Sequence, residues 1–175
     1  MSAVIRLARS GDIPALIDLA AETFLDRFGH YHSPENCQAF IAQSHNVELY
    51  QAAITKPDEY LLVAENDEGL VAYLYAKLPT LPLPESFNQK LQKSHELSKI
   101  YIRRSRQSSG IGARLLKSWE TWTLERAYKD LVLGVWEENV EAQKFYMRHG
   151  YTKISSYKLM VGQTQDTDDI FHKAL

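Results

Sequence analysis

Gln107-Ser108-Ser109-Gly110-Ile111-Gly112 stands between a strand-like run, Leu97 to Ile102, and a helix-like run, Ile111 to Ala127. A strand, a turn of small residues and a helix form a corner where an anion can rest. The first N–H groups of a helix lack intrahelical partners and carry partial positive charge, so a pyrophosphate fits against them where no large side chain intervenes. Gly110 and Gly112 clear that space. Two familiar phosphate motifs are excluded: the third glycine of a dinucleotide fingerprint would be Leu115, and Gly112 is followed by Ala113 and Arg114 where a P-loop has Lys-Ser/Thr.

Working outward, Leu131 to Trp136 is an apolar strand and Val140 to His149 a helix with Ala142 and Phe145 facing inward; Tyr151 to Met160 and Asp169 to His172 supply closing strands. Towards the N-terminus, Tyr60 to Ala64 and Leu70 to Leu78 are β-rich runs around the polar turn Glu65 to Gly69, an antiparallel hairpin. Val4 to Ala8 reads as a first strand. Asp12 caps a helix whose apolar residues are Ile13, Leu16, Ile17, Ala20 and Phe24, and Ser33-Pro34 opens a second helix carrying Phe40 and Ile41. Pro79, Pro82 and Pro84 mark a loop reaching to Ser94 that borders a substrate site or serves as a solvated connector. The order β-α-α-β-β-β-α-β-α-β-β predicts an α+β domain with a mixed sheet and helices on both faces, spanning residues 1–175.

The chain has 175 residues, 45% of them hydrophobic, enough for one sizeable core. A net charge of −2 provides no global field for nucleic acid or an anionic membrane, so neither is expected as a partner. Cys37 is the only cysteine, which rules out an internal disulfide or a cysteine zinc cluster, and the histidines show no metal-ligand spacing. His30 and His32 read as surface loop residues. Without an apolar leader or a run of membrane length, a cytoplasmic location is expected.

Two motifs together resemble the GNAT superfamily of acyl-CoA-dependent N-acetyltransferases. The first is Q-x-x-G-x-G after a strand, at Gln107 to Gly112; the second is N-x-x-A-x-x-F-Y at Asn139 to Tyr146, followed by His149-Gly150-Tyr151. Glu22-Thr23-Phe24, Ser33-Pro34-Glu35-Asn36, Leu133 to Glu137 and the tail Gln165-x-Thr167-Asp168 narrow the resemblance to bacterial PaiA-type spermidine/spermine N-acetyltransferases, although the tail departs from their tighter spacing.

The resemblance implies a GNAT fold with a splayed central sheet, acetyl-CoA as cosubstrate without a metal, and a primary amine as acceptor, a polyamine first among candidates. A protein N-terminus or lysine as acceptor, and a non-catalytic acetyl-CoA-binding regulatory module, are the alternatives; a homodimer is among the assemblies left open. It implies that backbone groups of Ile100, Tyr101 and Ile102 hold the pantetheine arm. Gln107, Ser108, Ser109, Gly110, Ile111, Gly112 and Ala113 would take the pyrophosphate, and Asn139 would contact the arm. Tyr146 matches the family tyrosine that protonates the departing thiolate. Glu96, eleven positions before Gln107, matches the general-base glutamate of histone-type members. Simple alternation places Glu96, Ser98, Ile100 and Ile102 on one strand face. One or two of Arg103, Arg104, Arg106 and Arg114 are expected on CoA phosphates. For a polycationic acceptor, Glu22, Glu35 and Glu137 are the anchoring carboxylates, with Asp26 beside Glu22 on the first helix.

Overall fold

The computed structural model describes residues 3–87 and 89–175. In chain order the elements are β1 (Val4–Leu7), α1 (Ile13–Phe28), α2 (Pro34–Ser44), α3 (Val47–Thr55), β2 (Tyr60–Asn66), β3 (Gly69–Lys77), β4 (Ser94–Ile102), α4 (Ile111–Glu125), β5 (Asp130–Trp136), α5 (Val140–Arg148), β6 (Thr152–Val161) and β7 (Thr164–Ala174). The strands form one mixed sheet ordered β1-β2-β3-β4-β5-β7-β6. Every neighbouring pair is antiparallel except β4 with β5.

Each face of the sheet has its own apolar cluster. Ile13, Leu16, Leu19 and Ala20 of α1 meet Tyr50 and Ala53 of α3 over Leu61, Val63, Tyr73 and Tyr75. On the opposite face Ile111, Leu115, Leu116 and Trp119 of α4, with Tyr146 of α5, cover Leu62, Leu74, Leu97, Leu131 and Leu133. Alternation along β2 and β3 feeds both clusters, which is why these strands read as continuous apolar runs. Trp119 is fully buried and donates its indole N–H to His95 Nδ1 at 3.0 Å, while His95 Nε2 faces Asp58 O at 3.1 Å. Both ring nitrogens are thereby engaged with His95 neutral, and burial lowers its pKa to about 4.

The expected α+β architecture is present, with four local corrections. A third helix, α3, stands where no element was expected; the Asn46 side chain caps it by accepting from Leu49 N at 2.9 Å. Asp12 does not cap α1: its carboxylate accepts from Arg6 at 2.7 and 2.9 Å and from Arg9 N at 2.7 Å, because a short helical turn over Ser10–Asp12 precedes α1. The closing strand runs over Thr164–Ala174 rather than Asp169 to His172, since pairing with β6 carries its polar N-terminal half. His32 is buried, with Nε2 3.1 Å from Asp166 Oδ2, although His30 is exposed. The docking of α2 against the β6–β7 turn covers it: the Asn36 amide donates to Thr164 Oγ1 at 2.9 Å and its oxygen accepts from Gln163 N at 3.1 Å.

Candidate active site

β4 and β5 pair in parallel only from Ser94↔Asp130 to Leu97↔Leu133. Beyond that point β3 keeps β4 as far as Ile102↔Ala72, and β7 keeps β5 as far as Trp136↔Asp168. The two central strands therefore part in a V whose facing edges have no strand partner among the described residues. Backbone N–H and C=O groups left open in this way need hydrogen bonds from elsewhere, and the amides of an extended arm can supply them.

A bulge sets the V. Tyr75 pairs with Lys99 and Ala76 with Leu97, so Ser98 has no partner in β3. The extra residue shifts the strand's phase and overturns the simple alternation expected of it. Glu96, Lys99 and Tyr101 share the face of Lys77, Tyr75 and Tyr73, whereas Ile100 and Ile102 share the α4 face with Leu74 and Ala72.

At the corner expected to take a phosphate, Ser108 and Gly110 have left-handed backbone with φ of 58° and 80°. Gly110 is the residue before α4; among the described residues no side chain caps the helix, and a Cβ there would meet nothing within 4 Å. The first N–H groups of α4 thus face open space. Gly112 has a different task from the clearance expected of it: its Cβ would lie 3.0 Å from Ile102 Cδ1 and 3.6 Å from Phe145, so its small size lets α4, α5 and the splayed end of β4 close together. Gln107 donates to Ile102 O at 3.2 Å, and Ser109 Oγ to Arg106 O at 2.5 Å, bracing the turn. Ile111 is buried, and Ala113 partly so. Among the nearby arginines, Arg103 is held by Glu22, Arg106 by Glu68 at 2.6 Å, and Arg114 donates to Ala3 O at 3.1 Å. Arg104 is exposed and makes no ion pair among the described residues.

The two aromatics of α5 divide the work. Phe145 packs on the first turn of α4, while Tyr146 is 5% exposed, edge-on to Tyr151 with ring centroids 5.8 Å apart. Burial and the nearby Tyr101 push the Tyr146 phenol well above its ordinary pKa, so it stays protonated, and its hydroxyl makes no hydrogen bond to the described residues. Asn139 caps α5 by accepting from Ala142 N at 3.3 Å, and the same oxygen accepts from Arg27 of α1 at 2.6 Å. Its amide nitrogen is the group left for a ligand.

Glu96 is buried and faces the loop after β3. It accepts from Thr80 N at 2.5 Å, Leu81 N at 3.0 Å and Thr80 Oγ1 at 3.2 Å, which anchors that loop over the V. The carboxylates named for a polycation are not gathered together. Glu22 is spent on a two-pronged pair with Arg103 at 2.9 Å, Glu35 lies exposed in the first turn of α2, and Glu137 is exposed where β5 ends. Asp26 is exposed on α1.

The residues that do converge on this face come from distant parts of the chain. Trp136, at the tip of β5, is met by Phe28 and Tyr31 with ring centroids 5.6 and 4.7 Å away. Tyr157 of β6 sends its hydroxyl over Gly134 and towards Asp168 of β7. Lys99 stands over the Tyr75 ring, and burial beside Lys77 brings its pKa down to about 8. Of these, Lys99, Trp136, Tyr157 and Asp168 lie in stretches singled out in the sequence, and none of those stretches marked its residue as part of a site. Among the described residues no group of three His, Cys, Asp or Glu is placed to hold a metal ion, and no helix is long and apolar enough to cross a membrane.

The family model of the acetyltransferase (GNAT) family matches residues 13–151. Over 165 residues the chain is 31% identical to an uncharacterized N-acetyltransferase in the pepI 3′ region of Lactobacillus delbrueckii subsp. lactis, covering 94% of this chain and 92% of that one. PaiA N-acetyltransferase from Thermoplasma acidophilum, solved in complex with coenzyme A, superposes with a TM-score of 0.81 at 21% identity, covering 100% of each chain. Ribosomal-protein-alanine N-acetyltransferase from Brucella melitensis gives a TM-score of 0.72 at 21% identity, covering 98% of this chain and 99% of that one.

Proposed function

The chain belongs to the GNAT family of acetyl-CoA-dependent N-acetyltransferases, and from that premise we propose that the V between β4 and β5 carries acetyl transfer to a primary amine, with polyamines the first acceptors to test. The observation that carries this reading is the end of β4–β5 pairing at Leu97↔Leu133, beside an uncapped α4 N-terminus and an unengaged Tyr146 hydroxyl. The residues fit an acetyl-CoA donor: the open edge of β4 over Ile100, Tyr101 and Ile102 for the arm's amides, the Ser108 to Ala113 backbone for the pyrophosphate, and the Asn139 amide nitrogen for the arm. Both apolar clusters close on the same sheet, which supports reading residues 1–175 as one acetyltransferase domain.

Acetyl-CoA supplies an activated acetyl group as a thioester. The chain must present an uncharged nitrogen to that carbonyl and a proton to the departing thiolate. Tyr146 is the proton donor in this reading, since its buried phenol remains protonated at any working pH. Glu96, committed to Thr80 and Leu81, acts by shaping the loop over the acceptor side. A polyamine acceptor is supported by the sequence resemblance to PaiA-type spermidine/spermine N-acetyltransferases and by Asp166 and Glu137, whose charges both reach Asp168.

The experiment is an acetylation panel with the purified chain, containing spermidine, spermine, monoamines, amino acids and peptides, read by release of free CoA. Turnover of small amines above peptides is expected, with polyamines highest in kcat/KM. Efficient acetylation of peptides alone would overturn the small-amine acceptor, and binding of acetyl-CoA without turnover of any amine would make the chain a regulatory module.

A further inference from the structure

Five carboxylates are buried among the described residues: Glu96, Glu120, Asp130, Asp168 and Asp169. A buried carboxylate is costly unless a cation or several hydrogen bonds compensate it. Glu120 has Lys173 at 2.7 Å and the Tyr151 hydroxyl at 3.1 Å, and Asp130 has His172 at 2.7 Å and Lys90 at 3.4 Å. Asp169 faces away from the acceptor side and has Lys153 at 2.7 Å and Ser156 at 2.8 Å. Glu96 has the Thr80 and Leu81 amides. Asp168, 9% exposed, has neither cation nor backbone amide, and its one hydrogen bond among the described residues is a long one from Tyr157 at 3.4 Å.

Its position explains what the missing partner is. Asp168 pairs with Trp136 on one side and Tyr157 on the other, so it sits where β5 leaves β4 and on the face opposite α4. A Cβ at Gly134 would lie 3.0 Å from the Tyr157 hydroxyl; the glycine is what lets that phenol reach over the splay. Tyr101, on the facing strand, feels the charge of Asp168, so the carboxylate is within electrostatic reach of the β4 edge of the V. The substrate of this reaction is a cation until it reacts.

We propose that Asp168 receives the acceptor's ammonium and takes the proton that frees its nitrogen. This rests on the amine-acetylating reading above and assigns the acceptor contact within it. The ammonium passes one proton to the Asp168 carboxylate, and the freed lone pair forms the C–N bond to the thioester carbonyl carbon. The C–S bond breaks, and the thiolate takes the Tyr146 phenol proton. The second proton leaving nitrogen restores that phenol, and Asp168 gives its proton to water, so each turnover releases one proton.

The surroundings set the pH response. Burial first, then Asp166, Asp169 and Glu137, push Asp168 up to about 6, while the Tyr157 bond opposes the rise. Tyr101 faces it from β4; Asp166 is itself beside His32; Lys99, on the same face of β4, is not within ion-pair distance. Below about 6 the free protein's Asp168 is protonated and no longer attracts an ammonium, so kcat/KM for amines falls on the acid side of that value.

The test compares the wild-type chain, Asp168→Asn and Tyr157→Phe in amine turnover across pH, with acetyl-CoA affinity measured by calorimetry. Asp168→Asn is expected to lower kcat/KM for amines by roughly 10²-fold or more, to raise KM, and to erase the acid limb, with acetyl-CoA affinity unchanged. Tyr157→Phe should shift the limb upward, because the bond it removes holds the pKa down. An Asp168→Asn protein that binds acetyl-CoA and keeps the wild-type kcat/KM and limb would overturn the assignment while leaving amine acetylation standing. If Asp168→Asn fails to fold, an unmoved limb in Tyr157→Phe overturns it instead. A wild-type chain that acetylates no amine ends both readings.

Discussion

The α4–α5 side of the V and the α1–β7 side are built by different means. The first is a backbone site: Gln107 reaches back to Ile102, Gly110 turns the chain left-handed, and Gly112 brings Phe145 and Ile102 together, with both glycines and Gln107 inside one hexamer. The second is a side-chain site assembled from Phe28, Tyr31, Lys99, Trp136, Tyr157 and Asp168, which no short segment contains. A donor with an unvarying phosphate and amide scaffold can be met by backbone, which demands particular residues at particular steps. An acceptor is met by charge and shape, which many residue combinations can supply.

The largest effect should come from breaking the backbone side. Gly110→Glu places a carboxylate in the open space before α4, on a residue at φ 80° that side chains rarely adopt. Like-charge contact costs several kcal/mol, so acetyl-CoA affinity should fall by at least about 10²-fold. Calorimetry on the folded variant measures this, and an unchanged affinity would remove the corner from the donor site.

Tyr146→Phe probes the seam between the two sides. It removes one oxygen and leaves the buried ring, so acetyl-CoA affinity and Tm should hold while kcat drops by roughly 10²-fold. Equal kcat values, with chemistry shown to limit the rate, would assign the thiolate's proton to another source.

On the acceptor side the expected effects are smaller and shift from rate to stability. Glu96→Gln can keep one oxygen on the Thr80 and Leu81 N–H groups but exchanges charge-assisted bonds for neutral ones, costing about 1 kcal/mol of stability, visible as a lower Tm. If kcat instead collapses with Tm intact, Glu96 belongs to the chemistry and the two sides share a catalytic group. Smallest of all, Glu22→Gln breaks a pair in which both side chains are partly exposed, worth about 0–1 kcal/mol, and should leave KM for spermidine unchanged. A KM rise confined to polyamines would return Glu22 to the acceptor site.

The same division governs what could be read from the chain. The hexamer and the Asn139 to Tyr146 helix are legible because their constraints are local: left-handed backbone, close helix approach, a cap. The hairpin around Glu65 to Gly69 is legible from two β-rich apolar runs flanking a polar turn. The bulge at Ser98 is not, since a bulged and an unbulged strand carry the same apolar count; only pairing with Tyr75 and Ala76 reveals the changed phase. α3 carries an Asn46 cap and apolar spacing, a signal present but short. His32 and Asp168 read as polar loop and tail residues because their burial needs distant partners, Asp166 of β7 for His32 and the β5 strand at Trp136 for Asp168.

The clasp between Asn36 and the β6–β7 turn has a consequence for how the protein comes into being. Its two ends are 127 residues apart, as against five for the Gln107 bond that braces the phosphate corner. Contacts of long sequence separation form late, after the entropy of closing the intervening chain has been met. On a ribosome, the donor corner can take shape while the last strands are still being made, whereas the acceptor wall must wait for them. On the proposed assignment, a nascent chain at that stage would present its donor half before it had anywhere to hold an amine.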